Sequence, residues 1–276
     1  AAGGVAQIVL LKPGTGYTTP PTVTLSGGGG SGATAVAVKN WVTMTAPQAD
    51  PTRDIHVTAL LVDEHTLDEV QFDLTFSQQG RPFWVWGTGI KPGETTQDFA
   101  KDNYYFSFTR LAASGTITIA GTTHEVTGTT WMDHEYGYFG GSSADARVRW
   151  LLQDLQLDNG YSISNAGILT VGYKPEIDVP VDAYATVQDA EGNLYYVAST
   201  ITPVGELWTS PATGNVYAQQ FHVQIPSFQA DLTVSVLVQN QEFPIAASPV
   251  YEGVAKPTGT MLGKPVTGDA WIEQAY

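Results

Sequence analysis

The residues best equipped for chemistry sit in one short run, Trp131-Met132-Asp133-His134-Glu135-Tyr136. Two carboxylates flank an imidazole, and large aromatics bracket all three. Such groups exchange protons near neutral pH once burial or a neighbouring charge has adjusted them. In a strand, successive side chains point to opposite faces. Met132, His134 and Tyr136 therefore share one face, and Trp131, Asp133 and Glu135 the other. Without a bulge the six cannot enter one cavity. We expect His134 and Tyr136 to face a cavity with Met132. Asp133 and Glu135 would then orient neighbours or pair with Arg110 or Arg147. The plainer alternatives are a salt bridge for each acid and a satisfied structural network for His134.

The elements that must position this run read as strands. The stretch Tyr104–Gly137 opens on an aromatic strand, passes two glycine-marked turns and ends on the motif. Ile55–Val62, Val70–Phe76 and Phe83–Trp86 are further strands, the second alternating cleanly with Val70, Phe72, Leu74 and Phe76 on one face. Asp158-Asn159-Gly160 and Glu191-Gly192-Asn193 mark hairpin turns. Helical signal is thin, with one turn expected at Gln97–Lys101. Short strands with glycine and Asn-Gly punctuation predict an all-β chain whose sheets close into barrels. Residues 1–37 stand apart. Ile8–Leu11, Thr22–Leu25 and Ala35–Val38 are β-prone pieces between glycines and prolines. The run Gly27–Gly32 lacks the Lys-Ser/Thr that completes a phosphate loop, and we read a small β appendage ending in a flexible linker.

An internal repeat divides the rest. Val126-Thr127-Gly128-Thr129-Thr130-Trp131 leads to Tyr136, and Val266-Thr267-Gly268-Asp269-Ala270-Trp271 leads to Tyr276. Both fit V-T-G-x-x-W-x-x-x-x-Y, and each follows a Gly-Thr pair, Gly115-Thr116 and Gly259-Thr260. Two related β units follow, with a boundary near Ile168–Pro175: residues 38–172 and 173–276 after the 1–37 appendage. Met132-Asp133-His134-Glu135 corresponds to Ile272-Glu273-Gln274-Ala275, so the chemistry is expected in the first unit.

Composition excludes several classes. A net charge of -15 opposes nucleic acid and anionic membrane surfaces, which need a basic footprint. With no cysteine there is no disulfide, thiolate nucleophile or cysteine metal site, a usage that fits a periplasmic or secreted protein. No apolar run approaches the roughly 20 residues of a membrane helix, and Ala1-Ala2-Gly3-Gly4 carries no signal pattern. His134 has no histidine at i+2 or i+4, so no metal is expected. There is no G-x-S-x-G elbow and no dinucleotide fingerprint, and no cofactor is implied. His56, His65, His124 and His222 read as surface or core fillers.

The string GTTWMDHEYG, the following Trp150…Leu155-Gln156-Leu157-Asp158-Asn159-Gly160 and the closing Tyr251-Glu252-Gly253…Gly259…Gly263…Gly268…Trp271…Glu273…Tyr276 resemble the AttH-like, hydroxyneurosporene synthase (carotenoid 1,2-hydratase) family. The resemblance covers most of residues 40–276. It implies two lipocalin-like antiparallel β-barrels in tandem, with hydration or cyclisation of polyenes among the activities. Two positions depart from the hydratases. Tyr136 stands where they usually carry Trp, and Tyr161-Ser162-Ile163-Ser164 has no carboxylate where they place an acid. Asp154, an odd occupant of the apolar run Trp150–Leu157, could supply it.

Such chemistry needs a carboxylic acid kept protonated, aromatic faces for a developing cation and a base. Asp133, Glu135 and Asp154 are the candidate acids and His134 the base. Trp131, Tyr136, Trp150, Tyr104, Tyr105 and Met132 would line the site, although Trp131 has its counterpart in Trp271 and packing explains it equally well. The leading expectation is a cofactor-independent acid–base enzyme on a small hydrophobic, polyene or terpenoid-like molecule inside a barrel cavity. A carrier of a hydrophobic ligand in the cell envelope is the alternative, and a structural envelope protein a third.

Overall fold

The structure, a computed structural model, describes residues 19–25, 35, 37, 40–63, 66–93, 101–138, 148–243 and 249–276. Among them the regular elements are antiparallel strands and two single-turn 3-10 helices. The chain divides into two compact units, Ala1–Ser77 with Ala112–Thr129, and Gln78–Leu111 with Thr130–Tyr276. The expected all-β class holds, in the form of a closed barrel and a second sheet.

The first six strands are β1 (Trp41–Thr45), β2 (Ile55–Val62), β3 (Glu69–Gln78), β4 (Phe83–Trp84), β5 (Asn103–Ile119) and β6 (Thr122–Gly137). In the first unit β1 pairs β2, β2 pairs β3, and β3 lies beside β5, which carries β6 on its other side. In the second unit β4 pairs β5 through Phe83↔Ser107 and Trp84↔Phe106. The strand expected over Phe83–Trp86 stops at Trp84. Trp86 takes φ 63° inside a 3-10 turn, Val85–Gly87, and Gly87 at φ 78° continues the bend. Thr22–Leu25 has no regular structure. Ile8–Leu11, Gly27–Gly32 and residues 97–100 lie outside the described residues, as do Val36 and Val38 of the third β-prone piece.

The second unit is organised by a barrel of β7 (Arg149–Leu157), β8 (Ser162–Leu169), β9 (Val181–Gln188), β10 (Leu194–Thr209), β11 (Val216–Ile225), β12 (Ala230–Val236), β14 (Val250–Met261) and β15 (Lys264–Ala275). Neighbours run β12-β11-β10-β9-β8-β7-β15-β14, and a β12–β14 pairing closes the ring. The short β13 (Glu242–Phe243) hangs on β14. The barrel takes its first strands from residues 149–169, upstream of the boundary that the repeat suggested. Its interior is packed. Leu155, Leu157, Ile163, Ile201, Phe221, Val223, Leu232 and Ile272 are each fully buried there, and each contributes about 1.5–3 kcal/mol.

The repeat corresponds to two hairpins, β5–β6 and β14–β15. Their turns match: Ala120 and Gly121 lie at φ 47° and 80°, Leu262 and Gly263 at 52° and 73°. Gly115 and Gly259 match too. A Cβ on either would lie 2.1 Å from a carbonyl oxygen of the adjoining strand, that of Asp73 or Asp231.

Candidate functional site

The β5–β6 hairpin carries two chemically different faces where it runs through the second unit. Alternation puts Tyr105, Ser107 and Thr109 of β5 with Trp131, Asp133 and Glu135 of β6. Tyr104, Phe106 and Phe108 share the opposite face with Met132, His134 and Tyr136. On the second face Tyr104 stacks on Tyr136 with centroids 5.4 Å apart. The exposed His134 ring lies 5.1 Å from Phe106 and 5.2 Å from Tyr136. Met132 is half-buried. The hairpin thus holds the imidazole apart from Asp133.

The first face is acidic. The Asp133 Oδ1 accepts the indole N–H of Trp131 at 2.7 Å and the hydroxyl of Ser107. Trp131 in turn packs edge-on against the buried Phe83, 5.6 Å away. Arg110 is committed elsewhere than to Asp133. Arg110 spends Nη2 on the carbonyls of Leu157 and Tyr161, both at 2.8 Å, and Arg147 lies outside the described residues. A guanidinium beside a tight hairpin finds two convergent carbonyls, which satisfy its planar donors without an acid.

The outer surface of the barrel completes this face. On β7 the odd residues Leu151, Leu155 and Leu157 enter the core, so Trp150, Asp154 and Gln156 point outward. Gln156 gives its side-chain N–H groups to the carbonyls of Thr109 and Thr130, at 2.7 and 3.0 Å. Asp154 is 2% exposed, and neither of its oxygens has a hydrogen-bond partner. Asp133 and Ser164 border it without closing a bond of normal geometry. Burial pushes its carboxyl well above the usual range, and the charge of Asp133 adds to the rise. The phenol of the buried Tyr105 is driven up by burial and then by Asp154 and Asp133.

Two further acids belong here. Glu252 and Glu273 are direct partners across β14 and β15. The indole of Trp150 donates to Glu273 Oε2 and that of Trp271 to Glu252 Oε2, each at 2.9 Å. Burial, followed by the charge of Glu252, pushes Glu273 up to about 7. Burial also raises Glu252, and it raises Glu135 even though that side chain keeps an exposed edge. The second repeat contributes an acid to this patch as well, where the expectation looked to the first repeat. Glu273 stands two residues after Trp271 just as Asp133 stands two after Trp131, so the second copy retains an acid where the first has one. That W-x-[DE] spacing was the available sequence signal.

Among the described residues, no group of three or more His, Asp or Glu side chains is arranged to hold a metal ion. His56 and His222 pair with Asp73 and Asp231 at 2.7 and 2.9 Å on the surface; His124 is exposed, and His65 lies outside the described residues. What the arrangement can do chemically is hold protons. Several carboxyls crowd one patch that runs from the buried Asp154 to the exposed Asp133 and Glu135.

Solved structures with the same fold include an AttH protein from Nitrosomonas europaea, with a TM-score of 0.64 and 21% identity over 84% of this chain and 67% of that one. Kievitone hydratase from Nectria haematococca aligns with a TM-score of 0.64 and 19% identity, over 88% of this chain and 70% of its own. Among curated proteins none matches. The profile of the AttH-like family matches residues 23–275, from before the first strand to the end of β15. The chain belongs to the AttH-like family.

Proposed function

We propose that this protein is a cofactor-independent acid–base enzyme that adds water across, or cyclises through, a carbon–carbon double bond of a hydrophobic polyene or terpenoid-like molecule. The observation that carries the reading is the Asp133–Asp154 pair. Two like charges at close range cannot both be ionised cheaply, and Asp154 has neither solvent nor a donor to support a charge. Burial and the neighbouring charge of Asp133 therefore favour the protonated form of Asp154. Asp133 borders Asp154 at the exposed edge of the patch, where an alkene carbon would receive the proton. The faces of Trp131 and Trp150 lie at hand for the cation that forms. A hydratase among proteins of this fold is in keeping with the reading.

A second reading, a carrier of a hydrophobic ligand, is favoured by the other face of the hairpin. There Tyr104, Phe106, Tyr136 and Met132 surround His134 with half-buried apolar surface. The packed barrel interior weighs against a ligand inside that barrel on either reading.

Incubation of the pure protein with a panel of isoprenoid alkenes in heavy-oxygen water tests the first reading. Expected is an alcohol product carrying the label, or an isomer of unchanged mass, lost in Asp154→Asn and Asp133→Asn while His134→Ala retains it. Binding of the alkenes without turnover, abolished by His134→Ala or Phe106→Ala, would instead establish the carrier.

A further inference from the structure

We propose that Glu273 is the base of this site, taking the proton from the attacking water, and that Trp150 is the residue that positions it. This rests on the acid–base reading above and assigns a group to the half of the reaction which that reading leaves open.

The duplicated hairpin puts two acids in matching places. Asp133 and Glu273 occupy the same position in the two copies, two residues beyond Trp131 and Trp271. The two hairpins bring their acids to one patch, each with an indole on one oxygen. Asp154 lies opposite Trp271 in the β7–β15 register, and Glu273 is the next outward residue along β15. Diagonal neighbours of this kind sit roughly 7–8 Å apart at their Cα atoms. The register thus places the Asp133–Asp154 pair and Glu273 on one outward face as neighbouring acid and base.

The two roles follow from surroundings. Asp154 is deep and without a donor, so it holds its proton. Glu273 has an indole N–H fixed on Oε2, which favours its ionised form and leaves Oε1 to accept a proton. The groups facing Glu273 are Glu252 on β14, Asp133 and Glu135 on β6, and Trp150 and Asp154 on β7. Burial first, and then the charges of Glu252, Asp133 and Glu135, hold its carboxyl near neutrality instead of deep in the carboxylate range. The charge of Lys91 acts on Glu135. A base poised near the working pH is the one that transfers protons best.

The step balances. The Asp133–Asp154 pair gives a proton to one alkene carbon, so the π bond breaks and a C–H bond forms. Water oxygen attacks the cationic carbon and forms the C–O bond. The Glu273 carboxylate removes a proton from that oxygen, leaving a neutral alcohol. Return of the proton from Glu273 to the Asp pair, through solvent or across the patch, resets the site.

The test combines a titration that needs no substrate with kinetics on whichever alkene turns over. In protein labelled with 13C at the glutamate carboxyl carbons, one resonance should titrate near pH 7, vanish in Glu273→Gln, and move to higher pH in Trp150→Phe, which removes the stabilising indole. In turnover, wild type should gain activity as pH rises through 7. Glu273→Gln should lose roughly 10²–10⁴-fold in kcat together with that limb, at a melting temperature no lower than wild type. Trp150→Phe should shift the limb upward. A wild type that turns over while Glu273→Gln keeps its rate and its limb overturns the assignment and leaves the acid–base reading standing. A Glu273 resonance that titrates at an ordinary carboxylate pH also overturns it. A wild type with the expected titration but no product from any alkene brings down the acid–base reading, and the base assignment with it.

Discussion

Asp154 and Trp271 stand directly opposite each other on β7 and β15, yet no hydrogen bond joins them. The indole of Trp271 turns to Glu252, and that of Trp150, two residues along β7 from Leu152, turns to Glu273. The tryptophan facing the buried acid and the one farther along its strand thus serve other acids. A buried carboxyl with no partner costs stability, and its retention here is what a proton-donating group requires.

It follows that replacing Asp154 by an apolar side chain of similar size should stabilise the fold. Asp154→Leu is expected to gain roughly 1–3 kcal/mol in chemical denaturation at pH 7, the cost of an unsatisfied buried group, while losing all turnover. A loss of stability would mean that the carboxyl has partners and that the cluster is structural.

Stability should fall as pH rises across the range in which Glu273 ionises. Its native carboxyl is pushed up to about 7 from an ordinary value of 4.5. Between these the native state binds a proton that the unfolded chain has released, so stability declines with rising pH. The contribution is full below about 4.5, is lost through 7 and levels off above. Melting temperatures from pH 4.5 to 8.5 should show this decline, and Glu273→Gln should flatten it and melt higher than wild type at pH 8. An unchanged slope in Glu273→Gln would contradict the assignment.

The equivalent glycines Gly128 and Gly268 should answer differently to the same substitution. A Cβ on Gly268 would lie 2.1 Å from the carbonyl oxygen of Gln156 on the paired β7, whereas one on Gly128 meets nothing within 4 Å. Gly268→Ala is expected to destabilise by roughly 2 kcal/mol or more through strain in the closed barrel, and Gly128→Ala to stay within about 0.5 kcal/mol. Equal losses would mean that β6 is as tightly flanked as β15.

How much of this the sequence carried depends on the range of the signal. The all-β class, the strand Ile55–Val62 and the turns at Gly160 and Gly192 follow from local alternation and glycine punctuation, and the structure has them. The duplication was legible in part because both hairpins need glycine at one matching tight approach, Gly115 and Gly259. Asp154 could be singled out because an acid in an apolar run is anomalous wherever it falls. The union of Asp133, Asp154, Glu252 and Glu273 could not be read, since it depends on which outer face of the barrel meets the hairpin, a non-local matter that no spacing encodes. Arg110 shows the same limit: it is near Asp133 in sequence but is claimed by carbonyls 47 and 51 residues away.

The account depends most directly on a carboxyl that stays protonated at neutral pH where β7 meets the acidic face. Infrared difference spectroscopy between wild type and Asp154→Asn at pH 7 reads this without a substrate. A protonated-carboxyl stretch present in wild type and absent from the variant is the predicted result. A spectrum showing only carboxylate bands removed by the substitution would contradict it.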